Sequence, residues 1–264
     1  MYRLSTFEYE NSSLLVHAIH NRNVYVFSYL IQFLKTHVQN GTIDLFLLLD
    51  KSFEICTSSS HHRIPLIIVE IMIEIETINA HIHYIHEMMF KIMNIEFIKF
   101  MMSTIYFDPA YICEDGDNTF TKIVGIQNEM LVQTMFTKYN ASLDSCDKNG
   151  VMLVIRSVED DAPHISSLFI QRKCSLNGRN GDGKSLLELC IERKWYLHVT
   201  YILGNGYSEL YDDENYFFKM CHYAVISNST LIFDRLLKNY HAAKIQRYWR
   251  ASRGESTLDT NRIK

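Results

Sequence analysis

Apolar residues recur with helical spacing between residues 182 and 206, in the segment DGKSLLELCIERKWYLHVTYILGNG. Two apolar stripes are spaced as on the faces of two short helices. They consist of Leu187, Cys190 and Ile191 in the first helix and Val199, Ile202 and Leu203 in the second. Gly183 is typical of a turn, Ser185 of a helix N-cap, and Asn205 with Gly206 of a helix end. The segment therefore predicts a helix pair.

The position of Leu187 recurs along the whole chain. Its equivalents are Leu15, Phe53, His86, Phe120, Val154 and Cys221, with successive spacings of 38, 33, 34, 34, 33 and 34 residues. A fixed period of this length indicates a repeat architecture. The longer first interval predicts an insertion in the stretch THVQNGTID, residues 36 to 44.

Two further positions keep the same register. The residue three after each anchor is small in five of the seven units, as Ala18, Cys56, Met89, Ile123, Ser157, Cys190 and Ala224. An apolar pair follows fifteen and sixteen residues after each anchor: Leu30/Ile31, Ile68/Val69, Met101/Met102, Met135/Phe136, Phe169/Ile170, Ile202/Leu203 and Leu236/Leu237. The pattern predicts seven helix pairs, each presenting one apolar face to its neighbours.

The segment 182–206 resembles an ankyrin repeat, whose family pattern is D-G-x-T-P-L-H-x-A, a later L-L pair and a closing N-G. The likeness implies an all-α, ankyrin-like solenoid of stacked helix pairs with short β-finger loops over residues 1–240. The units depart from the pattern, because none keeps T-P-L-H and the glycine recurs only as Gly116, Gly150 and Gly183. An irregular all-α bundle is the alternative, since helical periodicity supplies apolar pairs there as well.

The stretch VEIMIEIETI, residues 69–78, permits two interpretations. Val69, Ile71, Ile73 and Ile75 alternate with more polar positions, as in a strand. The second helix of the second unit can instead continue through the stretch, with Glu70 and Glu74 on its solvated face. Periodicity over so short a run leaves both open.

Charge is distributed unevenly along the chain. Residues 241–264 carry six Lys/Arg and two Asp/Glu, whereas residues 1–240 carry 20 and 28. An acidic body repels a phosphate backbone, so we expect no nucleic-acid binding.

The sequence favours a reduced, cytoplasmic protein, because its six cysteines include no C-x-x-C pair and its N-terminal stretch has no hydrophobic signal region. Glutamates interrupt the longest apolar stretch, so we expect no membrane partner.

Two local patterns suggest chemistry. His81, His83 and His86, with His61 and His62 upstream, are a candidate zinc cluster, but they lack helical ligand spacing. In the repeat frame His81 and His83 belong at a finger tip and His86 in the core.

The stretch GRNGDGKS, residues 178–185, matches the phosphate-loop expression through Gly178, Gly183, Lys184 and Ser185. The preceding FIQRKCSLN is not a buried strand, so nucleotide binding by an enzyme is the alternative function rather than the expected one. No G-x-S-x-G or comparable nucleophile arrangement occurs.

The tail sequence AAKIQRYWRASRG resembles an IQ motif, the helix recognised by calmodulin and related EF-hand proteins, with the pattern [ILV]-Q-x-x-x-R-G-x-x-x-[RK]. Ile245, Gln246 and Arg250 match, whereas Ala251 replaces the glycine and Glu255 the last basic residue. Ile245, Tyr248 and Trp249 are apolar anchors, and Arg247, Arg250 and Arg253 suit an acidic partner. The alternative is that Ile245 and Trp249 cap the last helix pair.

These observations predict a non-enzymatic protein-interaction module without catalytic residues, metal or cofactor, whose residues 241–264 bind calmodulin or another EF-hand protein. A structural adaptor whose tail is only a cap is the other alternative. The ankyrin resemblance implies that finger-tip and first-helix residues line a concave partner-binding surface. These are His81, His83, Glu114, Asp115, Asp117, Lys148, Asn149, Glu159, Asp160, Asp182, Lys184, Glu192, Arg193, Tyr216 and Phe218.

Overall fold

The computed structural model describes residues 14–34, 43–56, 63–205 and 213–252. The chain divides after Thr119 into two compact units, which are described separately. The described residues are mostly helical and contain no β-strand, so the protein belongs to the all-α class. The predicted insertion at 36–44 lies almost wholly outside the described residues.

The first unit consists of helices joined by short turns. Residues 14–20 are helical and are followed by α1 (Val24–Phe33), α2 (Leu45–Cys56), α3 (Arg63–Glu74), a 3-10 turn (Ile78–His81), α4 (Ile82–Ile92) and α5 (Ile95–Ser103). Helix α2 packs on α3 within one pair. Between pairs, α1 packs on α3 and α2 packs on α4, so helices of the same kind lie side by side.

The second unit continues the same alternation. Its helices are α6 (Thr119–Gly125, beginning at the boundary), α7 (Glu129–Lys138), α8 (Leu153–Glu159), α9 (Pro163–Gln171), α10 (Leu186–Glu192), α11 (Tyr196–Gly204), α12 (Glu214–Ile226) and α13 (Thr230–Ser252). The first helices α8, α10 and α12 pack on one another in order, and so do the second helices α7, α9, α11 and α13.

The seven predicted anchors are all buried, and each lies in the first helix of a pair. Leu15, Phe53, Val154 and Leu187 are fully inaccessible, and Cys221 is the most accessible at 8%. The residues three positions later are buried as well wherever the structure describes their side chains; that of Cys56 lies outside. Among the second-helix pairs, Leu30, Phe136 and Leu237 are half-buried and the others are buried.

One turn conformation recurs between the two helices of a pair. A non-glycine residue with left-handed backbone stands seven positions after the anchor in six pairs: Arg22, Met93, Gln127, Asp161, Lys194 and Asn228, with φ between 52° and 60°. In four pairs the next N–H donates to the carbonyl of the residue three after the anchor, as from Ala162 to Ser157 at 2.9 Å. A left-handed residue is a common way to end a helix. The sequence period is therefore matched by a structural one.

The stretch 69–78 is helical over most of its length. Helix α3 runs from Arg63 to Glu74, with Val69, Ile71 and Met72 buried and Glu70 and Glu74 exposed. The helical interpretation of this stretch is confirmed and the strand interpretation is wrong, because its alternate apolar residues also fit the buried side of a helix that is apolar around much of its circumference.

Candidate protein-binding surface

Three equivalent glycine turns join one helix pair to the next, at residues 113–117, 147–151 and 180–184. In each, the first N–H donates to the carbonyl four residues later and the glycine N–H donates back to the first carbonyl; the forward bonds are Cys113 to Asp117 at 2.8 Å, Asp147 to Val151 at 2.9 Å and Asn180 to Lys184 at 2.9 Å. Gly116, Gly150 and Gly183 have φ of 88°, 78° and 77°, a region that favours glycine. Each turn ends in one isolated antiparallel bridge rather than a β-hairpin.

Side chains close the second and third glycine turns from inside. The Asp147 carboxylate accepts the N–H groups of Asn149 at 2.8 Å and Val151 at 3.0 Å. The Asn180 side-chain oxygen accepts those of Asp182 at 3.1 Å and Lys184 at 2.8 Å. Both side chains are buried, so the backbone that presents Lys148, Asn149, Asp182 and Lys184 is held in one conformation.

The predicted residues lie in these turns or at nearby helix ends, with four exceptions. Glu114, Asp115, Asp117, Lys148, Asn149, Asp182 and Lys184 lie in the glycine turns. Glu159 and Asp160 end α8, and Glu192 and Arg193 end α10. His81, His83, Tyr216 and Phe218 lie elsewhere.

Most of these charges already have partners inside the chain. The Lys184 ammonium lies 2.8 Å from the Glu192 carboxylate, and this contact raises the pKa of Lys184. Arg193 pairs with Asp161 at 3.0 Å and donates to the Glu159 carbonyl at 2.6 Å. Partly exposed pairs of this kind contribute little stability, but they fix the direction of each side chain.

A second set of contacts involves residues that the sequence analysis did not select. Arg156 lies between Asp147 at 3.3 Å and Asp160 at 3.2 Å. The Asn180 amide donates to the Glu159 carboxylate at 2.9 Å. These partners stand 4, 9 and 21 residues apart in the chain, and only the four-residue spacing of Arg156 and Asp160 is a pattern that the sequence shows.

Glu188 is the most deeply buried charge among the described residues of the second unit. Its carboxylate accepts the Ser185 N–H at 2.7 Å in a capping box and lies 2.5 Å from the Lys219 ammonium of α12. Burial tends to raise the pKa of this carboxyl, but the hydrogen bonds from Lys219 and Ser185 outweigh it and hold the pKa below its ordinary value. The carboxylate therefore links the sixth pair to the seventh.

The two histidines assigned to a finger tip are not in a finger, and that prediction is wrong. His81 ends the 3-10 turn and stacks on Phe46, with ring centroids 4.4 Å apart; His83 is an exposed residue of α4. Ile82, the first residue of α4, stands four residues before the anchor His86, where the next three pairs have the turn glycine.

His86 is buried, as predicted. Its Nδ1 lies 2.9 Å from the Ile82 carbonyl and its Nε2 accepts the Asp108 N–H at 3.0 Å, which requires a neutral ring with the proton on Nδ1. Burial lowers the pKa of this imidazole.

Tyr216 and Phe218 lie on α12 and face different surroundings. The Tyr216 hydroxyl is 2.5 Å from the Ser185 hydroxyl, so this ring joins α12 to the N-terminus of α10. Phe218 is 63% exposed. Only the second of the two therefore presents a large apolar surface to solvent.

The segment that matches the phosphate-loop expression does not have phosphate-loop geometry. The N–H groups of Asp182, Gly183 and Lys184 are bonded to Asn180, Ser185 caps a seven-residue helix, and the Lys184 ammonium is held by Glu192. No described strand leads into the loop. The donors that would surround a phosphate are thus used within the turn.

Three of the described cysteines are buried and are held in the thiol form. Burial raises the pKa of Cys174 and Cys190 to about 12 and that of Cys221 to about 11, so their thiols stay protonated at neutral pH. No group of three metal-binding side chains occurs among the described residues. His61 and His62 lie outside them.

The IQ-like tail forms the second half of α13, which runs unbroken from Thr230 to Ser252 across the predicted boundary at residue 240. Ile232 and Leu236 are buried in its first half, whereas Ile245 is 65% and Tyr248 82% exposed, and Gln246 is exposed. The Lys244 ammonium is 3.1 Å from Glu214. The side chains of Arg247, Trp249 and Arg250, and all of Arg253, lie outside the described part.

An open groove of about 490 Å³ follows one face of this helix. It is lined by Asp234, Leu237, Lys238, His241, Ala242 and Ile245. Its floor thus joins the packed half of α13 to the exposed half.

No family model matches the chain, and no curated protein matches it. Within the described residues, no helix combines the length and the apolar character that crossing a bilayer requires.

Proposed function

We propose that the chain is a non-enzymatic protein-interaction module, built as an ankyrin-like solenoid whose C-terminal helix binds an EF-hand protein such as calmodulin. The exposure of Ile245 and Tyr248 on α13 carries the proposal. A helix that served only as a cap would bury such side chains against the preceding pair, as it does Ile232 and Leu236.

The solenoid interpretation is supported by the repeated turns. The six left-handed residues keep one offset from the buried anchors, and helices of the same kind pack side by side within each unit. An irregular bundle has no reason to repeat either feature.

A partner-binding role for the glycine turns is supported by their rigidity. Buried Asp147 and Asn180 fix the backbone, and internal ion pairs direct Lys184 and Arg193. A preformed surface loses less entropy on binding than a flexible one. Phe218 of α12 is an aromatic side chain that is 63% exposed, and we assign it most of the binding energy.

The end of α13 and the residues that follow it suit an EF-hand protein because they combine large apolar side chains with arginines. Ile245 and Tyr248 stand three residues apart on one helical face, and the sequence adds Trp249 next to them and arginines at 247, 250 and 253. Large apolar anchors flanked by arginine fit a hydrophobic groove with an acidic rim. Since Ala251 and Glu255 depart from the IQ pattern, we expect weaker affinity than a complete motif gives.

Titrating the full chain with calmodulin, with and without Ca²⁺, tests the proposal. Ile245→Ala with Trp249→Ala should abolish binding, Arg253→Ala should weaken it, and added salt should weaken it as well because arginine steers the encounter. Leu231→Ala is the matched control, since Leu231 is 64% exposed on the same helix but outside the motif. Absence of binding at about 100 μM in either condition contradicts the tail assignment.

A further inference from the structure

An aromatic stripe covers the outer face of α1 in the first unit. Tyr25, Tyr29 and Phe33 stand at four-residue spacing and are 84%, 73% and 70% exposed. Phe27 and Ile31, on the opposite side of the same helix, are fully buried. Residues four apart lie on one helical face, so the three rings form a continuous surface.

The stripe carries no charge. The α1 sequence VYVFSYLIQF contains no acidic or basic residue, and Val26, which is 45% exposed, extends the apolar surface on one side. Depletion of charge together with enrichment of aromatic residues is the composition of an interface core, most of all in homodimers. Within α1, a partner chosen by charge would find no charged side chain to recognise.

We propose that this stripe is the contact between two copies of the chain, with α1 packed antiparallel on α1 of the second copy. The order Tyr25, Tyr29, Phe33 is symmetric in aromatic character about Tyr29. A two-fold axis through Tyr29 places that ring against its own copy and places Tyr25 against Phe33 in both directions, as an isologous contact requires.

The exposed area of the stripe is about half of what a standard interface needs from one partner. Aromatic side chains bury about 150 to 250 Å² each, so three rings that are at least 70% exposed supply about half of the roughly 800 Å² that each partner contributes, and half-exposed Val26 adds to it. Offset or edge-to-face packing of such rings is favourable as well.

Disulfide trapping tests the symmetry directly. In a Cys146→Ser background, which removes an exposed thiol, Tyr29→Cys should give a covalent dimer under mild oxidation, because only that position faces itself. Tyr25→Cys alone should not, but mixed with Phe33→Cys it should form the heterodimer. Leu197→Cys is the control, because Leu197 is 78% exposed, close to the 73% of Tyr29, and lies outside both proposed binding surfaces. Trapping of Tyr29→Cys no faster than this control overturns the proposal.

Sedimentation equilibrium of the full chain gives an independent readout. The dimer should be present in the unmodified chain, and Tyr29→Glu should raise its dissociation constant at least about tenfold because it places two carboxylates at the axis. Leu197→Glu should leave the constant unchanged. Circular dichroism verifies that both variants are folded, as expected for exposed positions. A chain that is monomeric, or one that binds phosphatidylcholine vesicles through Tyr29 instead of dimerising, contradicts the assignment.

Discussion

At the scale of single residues, the repeat register separates side chains that hold the fold from chemically similar ones that do not. Leu187 is fully buried at the anchor position, whereas Leu197, ten residues later, is 78% exposed. Both are leucines in helices of the same pair. Replacing each by alanine therefore compares the stability contributed by a leucine at an anchor position with that of a leucine outside it.

Leu187→Ala should lower the free energy of unfolding by about 2 to 5 kcal/mol, because it removes buried methyl groups and leaves a cavity. Leu197→Ala should change it by less than about 0.5 kcal/mol. Urea unfolding of both variants and the parent chain measures the difference. A loss below about 1 kcal/mol at Leu187 would mean that it is not a core anchor.

His86 shows how a departure from the repeat pattern is accommodated. It occupies an anchor position where the repeat pattern has leucine, yet it is buried because both ring nitrogens are bonded, to the Ile82 carbonyl and the Asp108 N–H. His83, Phe107, Asp108 and Tyr111 surround it. The imidazole thus holds the chain segment that follows α5.

His86→Leu should cost about 1 to 3 kcal/mol at pH 7, because it leaves the Asp108 N–H without its acceptor. The pH dependence has a definite sign. Burial holds the pKa of His86 below the ordinary 6.5. Below about pH 6.5 the unfolded chain therefore takes up a proton that the folded chain does not, and the free energy of unfolding decreases as the pH is lowered.

Comparison of the parent chain with His86→Leu isolates the pH-dependent contribution of the imidazole to stability. The cost of His86→Leu, measured by urea unfolding, should shrink as the pH is lowered from 7.5 to 5. A cost that stays constant over this range would show that the ring is not held in its neutral form.

Sequence periodicity located the helices and the buried anchors because those features depend on residues three, four or about 33 positions apart. It misplaced His81 and His83, since the third unit has Ile82 at the position four before the anchor His86, where the next three units have the turn glycine. It did not find the pairing of Glu188 with Lys219 or of Arg156 with Asp147, because each joins side chains from separate segments of the chain. The capping box of Ser185 and Glu188, in contrast, is a local pattern that the sequence shows. Several charges that looked available for a partner, such as Lys184 and Glu192, are bonded to each other.

At the scale of elements, the glycine turns depend on backbone conformation rather than on packing. Gly183 has φ of 77°, and a Cβ added there meets nothing within 4 Å. Gly181, two residues earlier, has equally open space but no left-handed backbone. The two positions differ in conformation alone.

Gly183→Ala should therefore destabilise the protein by about 1 to 2 kcal/mol, the cost of a side chain in the left-handed region. Gly181→Ala should be neutral or slightly stabilising, because alanine restricts the unfolded chain. Thermal and urea unfolding of both variants measure these changes. Equal effects at the two positions would show that the turn does not require a left-handed residue.

At the scale of the whole molecule, α13 serves two environments. Up to Tyr240 it is part of the packed body, since Ile232 and Leu236 are buried and the Tyr240 ring stacks on Phe217 with centroids 4.0 Å apart. Beyond residue 240 none of the described side chains is buried, and the contact of Lys244 with Glu214 joins two side chains that are more than 60% exposed.

A chain ending at residue 240 should therefore lose less than about 1 kcal/mol of unfolding free energy, because an exposed ion pair contributes little. A chain ending at residue 229 should be strongly destabilised, since it lacks Ile232, Leu236 and the Tyr240 stack. If the tail exists to bind an EF-hand protein, the first truncation should abolish calmodulin binding while the fold survives. Urea unfolding and calmodulin titration of the same two proteins separate a partner-binding role of the tail from a capping role. A large loss of stability on ending the chain at 240 would assign residues 241–252 to the packed body and favour the capping role.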